Sequence, residues 1–282
     1  MNHMTRFAFT KMHGLGNDFV VVDARKNAPD LSPTAYRAIS DRRRGVGCDQ
    51  FLTILPPRND GAVYMTIHNP DGSESEACGN GTRCVAATLM DEAESDSVVV
   101  ETLAGSLACS RDANGQVTVD MGPALFGWHD IPLAHATDTL HVPLEDAPAT
   151  DCVCVNIGNP HAVFFVDNAE AVALAEIGPA LEHHPMFPER ANVEFVTVLS
   201  RSELRMRVWE RGVGVTQACG SGACATLVAA TRRGLVGPKA DVVLDGGTLT
   251  VELAKDGRIL MTGPVAMSFS GVIDVQNLLQ AL

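Results

Sequence analysis

Cys78-Gly79-Asn80-Gly81-Thr82-Arg83-Cys84 and Cys219-Gly220-Ser221-Gly222-Ala223-Cys224 are two versions of one cysteine-glycine turn, standing half of the 282-residue chain apart. The match continues in register, since Gly16-Asn17 returns as Gly158-Asn159 and Met121-Gly122-Pro123 as Met261-Thr262-Gly263-Pro264. Solenoid repeats run to roughly 20 to 50 residues, so a period this long indicates a duplicated domain. We place a first domain at 1–122, a second at 123–264, and a tail at 265–282 that returns to pack on the first. Gly122 to Thr150, rich in Pro, Ala, His and Asp, reads as the interdomain stretch. One thiol per copy suggests a site in the cleft between two related halves.

The fold class is α/β (α+β). Val20-Val21-Val22, Val98-Val99-Val100, Val117 to Met121, Val163 to Val166, Val193 to Leu199, Val242 to Leu244 and Leu249 to Leu253 read as strands. Leu204, Met206 and Val208 alternate with charged and aromatic residues, which predicts a strand with one buried face that delivers Glu210 and Arg211 at its end. Helices are predicted over Pro33 to Arg44, over Ala169 to Glu182 and after each cysteine turn, where Cys84, Val85, Thr88 and Leu89 match Cys224, Leu227, Val228 and Thr231 at helical spacing.

Composition sets limits. The chain is 46% apolar and 20% charged, with no apolar run approaching the roughly 18 residues a membrane helix needs. A formal net charge of −13 opposes nucleic-acid binding. Arg42-Arg43-Arg44, the only dense basic run, reads as a solvated helix end. Met1 to Gly14 has no apolar signal core, which gives an expectation of a cytoplasmic protein whose eight cysteines stay reduced. The spacings Cys-x5-Cys and Cys-x4-Cys do not provide the close ligand pairs of a zinc site, so no metal is expected.

A glycine-rich turn that opens a helix exposes N–H groups without intrahelical partners at the positive end of the dipole, which makes an anion site. A thiol placed there is expected to ionise more readily than free cysteine, whose pKa is about 8.5. Cys78 and Cys219 are therefore the candidate reactive pair. Two such turns on one carboxylate would stabilise the charge that develops when its α-carbon loses a proton, each donor contributing about 3 to 4 kcal/mol. A thiolate on one face and a thiol on the other would invert the centre without a cofactor. Cys48, Cys84, Cys109, Cys152, Cys154 and Cys224 read as packing residues.

Together with His13-Gly14-Leu15-Gly16-Asn17-Asp18-Phe19, Asn69-Pro70-Asp71-Gly72-Ser73-Glu74, Gly158-Asn159-Pro160-His161, Pro188-Glu189-Arg190-Ala191-Asn192 and Thr216-Gln217-Ala218, the two turns make the chain resemble the diaminopimelate epimerases. The resemblance implies interconversion of LL- and meso-diaminopimelate, for lysine and cell-wall synthesis, without a cofactor. It implies two pseudo-symmetric domains, each a barrel-like sheet around a central helix, and a homodimer. By it Cys78 and Cys219 are the acid/base residues, and the N–H groups of Gly79, Asn80, Gly220 and Ser221 hold the reacting carboxylate. Asn17, Gln50, Asn69, Asn159, Asn192, Glu210 and Arg211 line the substrate site, Arg211 being suited to the distal carboxylate. His161 and Glu210 tune the thiols.

Four positions depart from the family pattern: Val215 stands where Glu is usual, Cys48 replaces Phe, His68 takes an aromatic's place, and Phe269 that of a Tyr at the dimer contact. Two other readings stay open from sequence. One is a proline or hydroxyproline racemase of the same fold, which would need no partner for a distal carboxylate. The other is a thiol sensor in which Cys78 and Cys219 switch rather than catalyse.

Overall fold

A computed structural model of the chain describes residues 6–144, 147 and 149–280. The ends of the sequence-drawn first domain and tail, residues 1–5 and 281–282, lie outside the described residues. The chain divides into two compact units, between Val119 and Asp120 and again between Gly263 and Pro264.

In the first unit the strands are β1 (Arg6–Gly14), β2 (Asn17–Asp23), β3 (Gln50–Leu55), β4 (Val63–His68), a short β5 (Glu74–Ser75), β6 (Ser97–Thr102), β7 (Gly105–Arg111) and the start of β8 (Val117–Pro123), with α1 (Pro33–Ser40) and α2 (Gly79–Ala93) between them. β1 pairs antiparallel with β2, β2 runs parallel to β3, β3 is antiparallel to β4, β4 is parallel to β6, and β6 to β8 form an antiparallel meander.

The second unit repeats this order. After β9 (Val142–Pro143) come β10 (Asp151–Asn156), β11 (Pro160–Phe165), β12 (Asn192–Ser200), β13 (Glu203–Glu210), β14 (Gly214–Val215), β15 (Lys239–Leu244), β16 (Gly247–Leu253) and β17 (Arg258–Gly263), with α3 (Leu174–Glu182) and α4 (Gly220–Arg232). The parallel pairs are again the second with the third, β11 with β12, and the fourth with the sixth, β13 with β15. Even registers correspond: Phe19 opposes Gln50 in the first unit and His161 opposes Asn192 in the second. The tight turns that open β7 and β16 rest on Gly105 and Gly247 at φ 126° and 137°, a region closed to other side chains.

Each repeat is wound on its own helix. α2 packs against β1, β2, β6 and β7, and α4 against β10 to β13 and β15 to β17. Both are buried on nearly every side, which a helix tolerates only if it is apolar or small all round. Alanine, glycine and cysteine in Gly79–Ala93 and Gly220–Arg232 meet that demand. Cys84 and Cys224 are fully buried among them, and Cys48, Cys109, Cys152 and Cys154 are buried too.

Several boundaries differ from the sequence reading. α1 stops at Ser40, not Arg44, because the Asp41 carboxylate accepts the N–H groups of Arg43 and Arg44 at 2.8 and 2.9 Å and draws the backbone out of the helix. The helix expected over Ala169 to Glu182 is broken: a 3-10 turn, Ala169–Ala171, is capped by Asn168, Val172 is extended, and α3 starts at Leu174. The Gly122 to Thr150 stretch is no bare linker. Ile131, Leu133, Val142 and Leu144 enter the second unit's core with Phe164, Val193 and Phe195. The tail forms β18 (Ala266–Asp274) and α5 (Val275–Gln280); β18 pairs antiparallel with β1, and α5 packs on α1.

Arg42, Arg43 and Arg44 are exposed just past the end of α1, as the solvated reading has it, but Arg42 is also an ion-pair clamp. Its guanidinium binds Asp18 at 2.9 and 2.7 Å and Asp49 at 2.6 Å, while Lys11, itself buried, binds Asp18 at 2.5 Å. The Asp49 carboxylate accepts the Asp18 N–H at 3.1 Å and the Asp18 carboxylate accepts that of Asp49 at 3.0 Å, so the starts of β2 and β3 are locked reciprocally.

Burial alone would raise the Asp18 carboxyl, but the bonds from Arg42 and Lys11 outweigh it and bring it from 3.8 to about 2. A carboxyl depressed by folding stabilises above its unfolded pKa, and that stability is lost as pH falls through the folded value. Urea midpoints are therefore expected to drop between about pH 4 and 2, and Asp18→Asn should remove this component of the fall. In the other unit, Phe195 is fully buried and stacked on Phe164 at 5.2 Å. Phe195→Ala should cost about 3 to 5 kcal/mol in the same unfolding measurement.

Candidate active site

Cys78 and Cys219 are the N-caps of α2 and α4. Each has extended backbone, φ −149° at Cys78 and −118° at Cys219, and each thiol accepts an N–H three residues on, from Gly81 at 3.3 Å and from Gly222 at 3.4 Å. The cysteine replaces the usual Ser or Asp cap because sulfur, too, can accept a first-turn N–H. Gly79 and Asn80 in one copy and Gly220 and Ser221 in the other occupy that first turn, whose N–H groups point away from the intrahelical ladder. Glycine in third place lets the turn close on the thiol: a Cβ at Gly81 would lie 3.4 Å from the Cys78 sulfur, and one at Gly222 3.2 Å from that of Cys219.

In the first unit the polar candidates form linked amide pairs. Asn80 Nδ2 donates to Asn17 Oδ1 at 3.1 Å, and Asn17 Nδ2 to Asp49 at 2.9 Å, which ties this side chain to the Arg42 clamp. Gln50 Nε2 donates to Asn69 Oδ1 at 3.0 Å, and Asn69 Nδ2 to Ser73 at 3.1 Å. Behind them Arg83, wholly buried inside α2, donates to Asn80 Oδ1 at 2.8 Å and lies so close to β1 that a Cβ at Gly14 would meet it at 2.8 Å. His68 stacks on Tyr36 with rings 4.3 Å apart and 10° from parallel, so it fills the aromatic's place; burial keeps its imidazole below its ordinary pKa. Cys48 is buried against Ser40.

The second unit gathers the ionisable candidates. Arg211 sits just past β13; its backbone N–H donates to Asn192 Oδ1 at 2.9 Å, and its guanidinium reaches the Glu189 carbonyl at 3.2 Å. Asn192 Nδ2 donates to the Pro160 carbonyl at 3.0 Å. Glu210 accepts from the Thr216 hydroxyl, and its charge acts on the Cys219 thiol. His161 is fully buried, with Nε2 2.8 Å from Asn159 Oδ1 and Nδ1 2.6 Å from Glu194 Oε1.

Glu194 was not singled out from sequence. It is wholly buried, and a Cβ added at Gly222 would meet its Oε1 at 3.0 Å, which places the carboxylate against the cysteine turn. The signal was a lone carboxylate in the apolar run Val193 to Leu199. Arg83 gave a similar signal, a charge inside a small-residue helix.

The thiol chemistry departs from the helix-end expectation at Cys219. Burial pushes this thiol well above its ordinary pKa, and the carboxylates of Glu210 and Glu194 add to the effect; the bonds from Ser221 and the Gly222 N–H offset only part of it. A first-turn dipole is only a partial charge, and here it is set against burial and two neighbouring carboxyl groups. Burial likewise raises Glu210 and Glu194. Cys78 is the less buried thiol of the two.

Comparison with known proteins agrees with the motifs. A family model described as diaminopimelate epimerase matches residues 9–126 and 153–268. A diaminopimelate epimerase of Rhodospirillum centenum is 60% identical over 264 residues, spanning 93% of this chain and 91% of that protein, and one of Acidiphilium cryptum is 51% identical over 96% and 97%. Among solved structures, a hydroxyproline epimerase from Agrobacterium vitis superposes with a TM-score of 0.69 over 97% of this chain and 94% of its own at 17% identity. A PhzF-family phenazine biosynthesis protein from Bacillus anthracis does so at 0.66 over 96% and 99%, also at 17% identity; at such identities the fold alone is shared. By the extent of the family match and the identity of its relatives, the chain belongs to the diaminopimelate epimerase family.

Proposed function

We propose that this protein is an isomerase that inverts one stereocentre of LL-diaminopimelate to give the meso form, using Cys78 and Cys219 as acid and base without a cofactor. The observation that carries the reading is the repeated cap: two helices of one duplicated fold each present a thiol and first-turn N–H groups from the same position. The epimerase domains drawn from sequence at 1–122 and 123–264, with 265–282 completing the first, are supported by two units that divide after Val119 and after Gly263.

In the mechanism, one sulfur removes the α-proton as the other delivers a proton to the opposite face. The first-turn amides of residues 79, 80, 220 and 221 stabilise the carboxylate as it takes on carbanion charge. The raised Cys219 suits the role of proton-bearing acid in the resting enzyme, since a group must hold its proton before it can give it. Asn17, Gln50, Asn69, Asn159 and Asn192 bind the polar ends of a diamino diacid, and Arg211 pairs with its distal carboxylate. The latter role favours this substrate over proline, whose ring carries no second acid. His161 and Glu210 adjust the thiols through the charge cluster of the second unit.

The enzyme works in the cytoplasm, where its thiols stay reduced, and as a homodimer. Phe269, 47% exposed and edge-on to Phe9, is the side chain we place at the contact, with Met267, 63% exposed, beside it. Phe269→Asp is expected to shift the molar mass in light scattering from dimer to monomer; a mass unchanged by the substitution would remove the residue from the interface.

Under reducing conditions, with LL-diaminopimelate in deuterated water, the wild-type protein should place deuterium at the α-carbon while forming the meso isomer. Cys78→Ala and Cys219→Ala should each lose about 10²- to 10⁴-fold in turnover while melting like wild type. Wild-type turnover in either variant defeats the two-base scheme, and racemisation of proline in place of diaminopimelate defeats the substrate.

A further inference from the structure

The side chain of His161 lies between two oxygens, Glu194 Oε1 at Nδ1 and Asn159 Oδ1 at Nε2. A neutral imidazole has one donor and one acceptor nitrogen, so it can satisfy only one of two acceptor oxygens. With the Asn159 amide oxygen turned to the ring, both short contacts are hydrogen bonds only if the set carries one proton more than a neutral histidine beside a carboxylate. That proton resides on His161 as an imidazolium or on Glu194 as a carboxylic acid. In both cases Nε2–H faces Asn159.

Resting on the reading of this site given above, we infer that Glu194 is a positioning residue which, with His161, retains one proton at neutral pH, fixes Nε2–H toward Asn159 Oδ1, and so commits the Asn159 amide nitrogen to donating to an anionic group of the substrate. The surroundings favour keeping the proton. Glu194 is wholly buried, its Oε2 has no hydrogen-bond partner among the described residues, and Glu210 and Cys219 face the same cluster from the end of β13 and the start of α4. Each of these three acids would add a negative charge on ionising, and crowded like charges disfavour that. The raised Glu194 carboxyl, for which burial is the largest cause, agrees.

Substitution separates the possible roles. Glu194→Gln is neutral and nearly isosteric, and its amide can still donate to Nδ1, so Nε2–H is preserved and KM should stay within about three-fold of wild type. Glu194→Leu releases the ring, and the resulting loss of one oriented hydrogen bond to substrate should raise KM about ten-fold.

The test is nitrogen NMR of the reduced full-length enzyme labelled at histidine, with the His161 signal assigned by its loss in His161→Gln, beside steady-state kinetics of the two Glu194 variants. A protonated Nε2 at pH 7 in both wild type and Glu194→Gln is expected. An unprotonated Nε2 in the wild type overturns the inference, as does an unchanged KM in Glu194→Leu. Should the leucine variant not fold, the wild-type spectrum still decides. A protein without epimerase activity would defeat the functional proposal but leave this spectrum unmoved, so the two failures are distinguishable.

Discussion

A cysteine that caps its own helix is the constraint on which the rest of the molecule depends. The first turn of an α-helix always has N–H groups in want of a partner, and here the cap is sulfur rather than oxygen. To put that turn at the head of a helix enclosed by strands, much of the helix surface must be small or apolar, and so α2 and α4 are rich in glycine, alanine, cysteine and threonine. The strands then close over them. Chemistry and packing thus make the same demand of the sequence, which is why one short motif carries so much information about both.

The two copies share a backbone plan and diverge in what stands behind it. The first unit supports its turn with amides and an ion-pair clamp: Asn17, Asn80 and Arg83 on one side, Asp18, Asp49 and Arg42 on the other. The second supports its turn with acids and an imidazole: Glu194, Glu210 and His161. At corresponding register positions, Phe19 in one copy is His161 in the other. On the two-thiol mechanism proposed above, that inequality would give the proton a reason to rest on one sulfur rather than the other.

Much of this was legible in the sequence. The duplication fixed the repeat of helix and strand, and runs such as Val193 to Leu199 announced strands because β-branched residues suit a pleated, buried surface. What escaped has physical reasons. β1 and β18 mix polar and apolar residues with exposed faces, so neither shows a clean alternation. The end of α1 was set by one competing side chain, Asp41, which periodicity does not weigh. Ile131, Leu133, Val142 and Leu144 are apolar singles scattered through a proline-rich stretch, and only tertiary packing assembles them. The acidity of Cys219 was misjudged because the helix end is local and visible in sequence, whereas Glu194 and Glu210 come from other strands.

The pairing of β18 with β1 sets Arg6 opposite Asp274. Residues as far as 274 must therefore leave the ribosome before the first sheet can acquire this strand, while the described strands of the second unit are already available by Gly263. Contacts so remote along the chain are slow to form. The later-made half can thus gather its described strands before the earlier-made half, whose β1 takes its partner only from residues 266–274.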